Sequence, residues 1–251
     1  MAAQQPTILF IPGAWHFPAG FDAVRELLKP LGYPTEAVAH PSIGAEPPNT
    51  TLDDDIANTR AEIMKLVEAG KKIVVVAHSY GGIVGSSAVE DLGFNQRKAI
   101  GKEGGVINFV YMAAFALPKG CSPRYVFRDA VAPWMVFKGD RVCAAEPAKY
   151  FYHDLTRSEQ KKWIAELTHM SAPVFGSGTT HEPWHHMPCT YIFCEYDRVI
   201  PLDIQKKMAA SIGSGLTTFY INASHSPFLS VPDEVVKGIE LASKVGLAKS
   251  L

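Results

Sequence analysis

Cysteine is scarce in this chain: four among 251 residues, Cys121, Cys143, Cys189 and Cys194, with no tight spacing between them. That excludes a small disulfide-stapled fold and a thiolate metal centre; such residues in a reducing cytosol are buried thiols. An excess of one charge is lacking too. Lys and Arg number 24 against 25 Asp and Glu, a net charge of −1 with no basic block. Neither nucleic acid nor an anionic membrane is therefore expected as a partner. No apolar run approaches the ~18–20 residues that span a bilayer. Met1-Ala2-Ala3-Gln4-Gln5-Pro6 lacks the basic and apolar regions of a secretory leader, so the expected location is cytoplasmic. Internal repeats and low-complexity segments are absent as well. What is plentiful is apolar surface: 47% hydrophobic against 20% charged residues, enough for a large core in one α/β domain of this length.

The apolar residues fall into short β-branched or aromatic runs alternating with segments of helical spacing. Strands are expected at residues 7–11, 35–39, 73–76, 106–113, 190–194 and 217–221. Helices are expected at 21–31, 51–69, 82–91 and 231–245. The second opens on Asp53, Asp54 and Asp55, where negative charge suits the helix dipole better than it would a metal. This alternation predicts a mostly parallel sheet of about six strands with helices on both faces. Residues 117–187 break it. They hold helix-like runs at 147–153 and 158–167, many Pro, Gly and aromatic residues, and no clear strand. The expected organisation is a core of residues 1–116 and 188–251 with a helical cap, 117–187, over the carboxyl ends of the strands, where such sheets bind ligands.

The third run leads into Ala77-His78-Ser79-Tyr80-Gly81-Gly82. A serine on a tight strand-to-helix turn matches the G-x-S-x-G nucleophile elbow, with Ala77 in place of the first glycine. A serine there could equally cap the helix, so its partners decide. A hydroxyl is a weak nucleophile that needs a base, and the base needs an orienting carboxylate. Asp197 follows the fifth strand and His225 the sixth, in the order Ser, acid, His and at the same sheet edge. Glu195, one residue past its strand, is the reserve acid. The oxyanion requires two N–H donors: Tyr80, just after the nucleophile, and Ala14 in the loop after the first strand, with Trp15 a weaker choice.

Pro12-Gly13-Ala14-Trp15-His16, Ala77-His78-Ser79-Tyr80-Gly81-Gly82, Asp197-Arg198-Val199-Ile200-Pro201 and Ser224-His225-Ser226-Pro227-Phe228 together resemble the α/β-hydrolase superfamily. Within it they resemble the small esterases grouped with plant methylesterases and hydroxynitrile lyases, including their microbial and fungal relatives. The resemblance covers nearly the whole chain and is weakest in the cap. Where the family commonly has His-Gly, this chain has Pro12-Gly13. The hydroxynitrile lyases of the group carry a lysine just after the catalytic histidine; here Ser226 stands there. The resemblance therefore implies ester or lactone hydrolysis of a small, moderately hydrophobic substrate through an acyl-enzyme, with no metal or organic cofactor. Carbon–carbon cleavage in the same site and a receptor that retains the triad are the alternatives, and monomer and homodimer both stay open.

His181-Glu182-Pro183-Trp184-His185 matches H-E-x-x-H, which binds zinc only if both histidines share one helix face. Pro183 disfavours that helix; His181, Trp184, His185 and His186 are expected instead to line or close the cap. Trp15, Trp134, Trp184 and Phe228 are the candidate substrate-binding residues.

Overall fold

The computed structural model describes residues 5–126 and 131–250. Residues 1–4, which belong to the segment read as carrying no leader, and residues 127–130 of the expected cap lie outside the described residues. Six strands build one parallel sheet: β1 (Thr7–Ile11), β2 (Thr35–Ala37), β3 (Lys72–His78), β4 (Gly105–Met112), β8 (Cys189–Cys194) and β9 (Thr217–Ile221). Their order is β2-β1-β3-β4-β8-β9, with β3 central between β1 and β4. Successive side chains of a strand point to opposite faces, and both faces are covered, which is why these runs are apolar without alternation. Ile8, Phe10, Val74, Val76, Val110 and Met112 pack on one side against α1 (Asp22–Leu28) and α10 (Pro232–Lys249). Leu9, Ile11, Ile73, Val75, Phe109 and Tyr191 pack on the other against α2 (Leu52–Glu68), α3 (Gly81–Ala88) and α8 (Leu202–Ala210).

Local chemistry sets the helix ends. Asp54 reaches back over the start of α2: its carboxylate accepts from both Thr51 N–H and Thr51 Oγ1–H at 2.8 Å, the carboxylate half of a capping box. Helix α1 is shorter than the expected 21–31, because Pro30 lacks an amide proton and the chain tightens into a 3-10 turn at Lys29–Leu31. A short helix, α4 (Phe94–Ala99), lies before β4 where none was expected.

The segment over the sheet differs from expectation. It contains a three-stranded antiparallel sheet, β5 (Met135–Lys138), β6 (Arg141–Ala144) and β7 (Met170–Ser171), besides α5 (Pro123–Val126), α6 (Pro147–Tyr150) and α7 (Arg157–Glu166). The segment is therefore mixed and not a helical cap. The signal was local: Gly139-Asp140 separates two short apolar runs, and Gly139 takes the positive φ, +60°, that a two-residue hairpin turn requires. Strand β7 also grips the core, with Ser171 N–H donating to the Ser42 carbonyl at 3.0 Å and Gly44 N–H to that of His169 at 2.8 Å.

Helix α3 starts hard against β1. A Cβ on Gly81 would stand 2.6 Å from the carbonyl oxygens of both Ile11 and Pro12. Gly81→Ala should cost about 1–3 kcal/mol of stability through overpacking of backbone, lowering Tm by about 2–4 °C per kcal/mol for a chain of this size. A thermal melt checks it.

Candidate active site

Strand β3 delivers Ser79 to the carboxyl edge of the sheet. The turn bends so sharply that Ser79 has φ +51°, a left-handed conformation uncommon for a residue other than glycine. Its carbonyl accepts from Gly82 N–H at 3.0 Å and from Phe115 N–H at 3.2 Å, which pins the turn between α3 and the chain leaving β4. Ser79 is 7% exposed and lines a cavity at this edge of the sheet. The hydroxyl is thus neither sunk in the core nor merely a surface cap.

Asp197 and His225 arrive from β8 and β9. His225 Nδ1–H donates to Asp197 Oδ2 at 2.8 Å, with both side chains buried. Asp197 Oδ1 accepts from the amides of Val199 (2.7 Å) and Ile200 (2.9 Å), which fixes the carboxylate before it meets the imidazole. Gln205 of α8 holds the same loop through the Cys194 and Ile200 carbonyls at 3.0 and 2.7 Å. The Ser224 amide donates to Asp154 at 2.8 Å, so the segment above the sheet steadies the His225 loop as well. With Nδ1 committed to Asp197, Nε2 remains for the cavity that His225 lines together with Ser79. Among the described residues no hydrogen bond joins Ser79 to His225; such bonds are often long in ligand-free sites and tighten on substrate binding. Glu195 is exposed and has no part in this arrangement.

The cavity measures about 390 Å³ and is bounded below by Ala14, Trp15, His16, Tyr80, Phe115 and Val199. Trp134, Met135, Phe137, Phe151 and Phe175 close it from above. No Asp, Glu, Lys or Arg stands among its described lining residues. Gly13 lets the loop after β1 press on the turn, since a Cβ there would lie 2.9 Å from Ser79 Cβ. This brings Ala14 and Trp15 beside Ser79, while Tyr80 N–H belongs to the first turn of α3, where amides lack intrahelical acceptors.

Two candidate substrate-binding residues lie elsewhere. Trp184 sits in a 3-10 turn, Pro183–His185, shortly before β8, and so falls toward the amino end of a parallel strand, away from the edge that holds Ser79. The neighbouring His181, His185 and His186 share that displacement, and none of them lines the cavity. His185 instead meets Glu182 at 2.7 Å. Phe228 follows His225 by three residues on α9 (Pro227–Ser230) and turns inward, 4.7 Å from Phe21 and 4.9 Å from His78 between ring centroids, beneath the site as core. Trp15 and Trp134 do line the cavity.

Other residues at the site were not singled out in the sequence. His78 Nε2–H donates to the His225 carbonyl at 2.8 Å, and the two rings lie 4.6 Å apart. Asp55, fully buried on α2, accepts from Ser42 N–H (3.0 Å), Ser42 Oγ–H (2.6 Å) and Tyr80 O–H (2.8 Å). Burial, with the Asp55 charge alongside, pushes the Tyr80 phenol well above its ordinary value, so it stays a donor. Asp55 was legible only as one of three helix-start acids.

The alpha/beta hydrolase family model matches residues 8–237. The alpha/beta hydrolase nvfD of Aspergillus novofumigatus is 30% identical over 251 residues, covering 95% of this chain and 97% of its own. Among solved structures, a pyrethroid hydrolase from Sphingobium faniae superposes with a TM-score of 0.76 at 21% identity, covering 97% of this chain and 99% of that one. Polyneuridine aldehyde esterase does so at 0.74 and 20% identity, covering 95% and 99%. At these identities the two solved structures speak for the fold alone.

Three buried histidines surround the site uncharged. Burial lowers His16 to about 4, His78 well below the ordinary 6.5, and His40 in the same direction. Between those values and 6.5 the unfolded chain carries protons that the native state refuses, so stability rises with pH across the window and drains away on acidification. His16 alone accounts for a loss of roughly 3 kcal/mol as pH falls from 6.5 to 4. Urea melts from pH 7 to 4.5 should show a falling midpoint, and His16→Asn should flatten part of that fall.

Proposed function

The chain belongs to the α/β-hydrolase family, and on that premise we propose that it is a serine esterase acting on small, uncharged, hydrophobic esters or lactones. Ser79 Oγ attacks the ester carbonyl, and its proton passes to His225 Nε2 as the Oγ–C bond forms. Asp197 holds the imidazole in the Nδ1–H tautomer and offsets its charge in the transition state. The amides of Ala14 and Tyr80 receive the developing oxyanion. The alcohol leaves with the proton from His225. Water then attacks the acyl-serine, loses its proton to the same nitrogen, and the acid departs as Ser79 recovers its hydrogen. No step calls on a metal or organic cofactor.

One observation carries this reading: an imidazole paired with a buried carboxylate at 2.8 Å lines the same cavity as a serine held at positive φ directly before a helix. A serine that served only as a helix cap would need neither the strained turn nor the pair. The four motif segments that resemble the small esterases support an ester as the substrate. The cavity supports its polarity: aromatic and aliphatic walls without a described charge favour neutral molecules, and a volume of about 390 Å³ suits a compact one.

A small activated ester such as 4-nitrophenyl butyrate should turn over repeatedly, and a fluorophosphonate should label Ser79 in peptide mapping. Ser79→Ala should lower kcat by at least about a thousandfold with the fold intact by circular dichroism. Labelling at another residue, or turnover that survives the substitution, overturns the reading. An ester of the same size carrying a free carboxylate should show kcat/KM at least about tenfold lower, because a buried anion would find no cation among the described lining residues to offset its desolvation; equal rates would contradict the assigned substrate class.

A further inference from the structure

The bonds around the Ala14–Trp15 peptide play no part in the chemistry just described. His16 is buried, and both of its ring nitrogens are engaged. Nδ1 lies 2.7 Å from the Ala14 carbonyl oxygen, and Nε2 lies 2.9 Å from the Tyr152 hydroxyl. A carbonyl oxygen can only accept, so the ring proton sits on Nδ1. Burial keeps the imidazole neutral, which leaves Nε2 bare, and the Tyr152 hydroxyl must be the donor to it. The chain of bonds therefore has one direction: Tyr152 O–H to Nε2, then Nδ1–H to the Ala14 carbonyl. Among the described residues, His16 is the only donor to that carbonyl.

Trp15 shows why such a hold is needed. Its φ of +66° lies in the left-handed region, which a bulky side chain occupies only when its surroundings impose it. Rotating the 14–15 peptide by about half a turn would bring Trp15 to the favoured negative φ. The same rotation would pull the Ala14 carbonyl off His16 and reverse the peptide dipole beside Ser79. The flipped Ala14 carbonyl would then point where the Trp15 N–H had pointed, next to the Ala14 amide, and its partial negative charge would oppose a developing negative charge there. The segment above the sheet holds the side chains of both Trp15 and His16, for Trp15 Nε1–H also donates to the Val142 carbonyl of β6 at 2.9 Å.

We infer that Tyr152 and His16 are positioning residues, a relay through which the segment over the cavity commits the Ala14 carbonyl to His16 and leaves the neighbouring amides to face the oxyanion. The inference rests on the reading of Ser79 as nucleophile and of residues 13–15 as half of the oxyanion site. Without the Tyr152 hydroxyl, Nε2 becomes a buried acceptor with no donor. The imidazole is then held at one end only, free to tilt away from the 2.7 Å contact with the Ala14 carbonyl and release the peptide.

Tyr152→Phe and His16→Gln should each lower kcat on 4-nitrophenyl butyrate by about 10- to 100-fold while KM stays within about threefold. His16→Asn places an amide N–H near the position of Nδ1 and should restore kcat to within about fivefold of the wild type. Adding Tyr152→Phe to that variant should change kcat by less than about twofold, because the relay no longer runs through Nε2. Fluorophosphonate titration counts active sites and melting curves report folding. If Tyr152→Phe does not fold, the contrast between Asn and Gln at position 16 decides. Histidine ¹⁵N spectra should show the Nδ1–H tautomer at His16 in the wild type. A Tyr152→Phe enzyme within about twofold of wild-type kcat, equal losses for Asn and Gln, or an Nε2–H tautomer in the wild type would each overturn the relay. A wild type that neither hydrolyses the ester nor labels at Ser79 would sink the esterase reading instead, and the tautomer would still decide the relay.

Discussion

Everything at this site depends on one geometric constraint: β3, β8 and β9 run parallel, so the residues that follow them emerge at a single edge. The hydrogen bond between His225 and Asp197 spans 28 positions of chain, and Ser79 is farther away still. No local preference could bring such groups together. The sheet does so because its backbone bonds and its two apolar faces fix where each strand ends, to within the reach of a side chain. A slip of one residue in register would turn these side chains to the opposite face. The chemistry thus inherits its precision from the core.

The loop after β1 meets a different demand. It passes so close to Ser79, as the proposed oxyanion role of its amides requires, that a Cβ at position 13 is excluded. It also bends through a left-handed tryptophan, a conformation that local energetics oppose. The opposing forces come from outside the sheet: Val142 on the indole and Tyr152 on His16. The segment above the cavity therefore supplies aromatic wall and also hydrogen bonds to the strained backbone below. Its own attachment through Ser171 and Gly44 keeps that upper wall registered on the core.

Much of the fold was legible because burial on both faces writes itself as contiguous β-branched runs. Val74, Val75 and Val76 could be little else, and Ser79 on the turn beyond them stood out for the same reason. Asp197 and His225 could be found because each follows a strand directly. The segment between β4 and β8 was harder. Its strands are only two to four residues long, with β5 and β6 part-exposed and β7 buried, so they carry almost no period, and only Gly139-Asp140 marked the hairpin. Trp184 and Phe228 looked like pocket residues by type, but an aromatic ring suits a core as well as a cavity. Trp184 stands ahead of β8 and Phe228 turns from α9 into the core against Phe21 and His78, which the residue type could not reveal.

The amino-acid sequence by itself determined the parallel α/β architecture and the three residues proposed for catalysis, since both follow from short-range patterns: apolar runs, a small-residue turn, and polar residues at strand ends. Only the tertiary structure decided which aromatics face the cavity, that Asp55 lies beneath Tyr80, and that Tyr152 reaches His16 across 136 positions. The reason is physical. A strand is specified by many weak, repeated contacts that leave a period in the chain, whereas a lone hydrogen bond between distant residues leaves none and exists only once the surrounding core has closed.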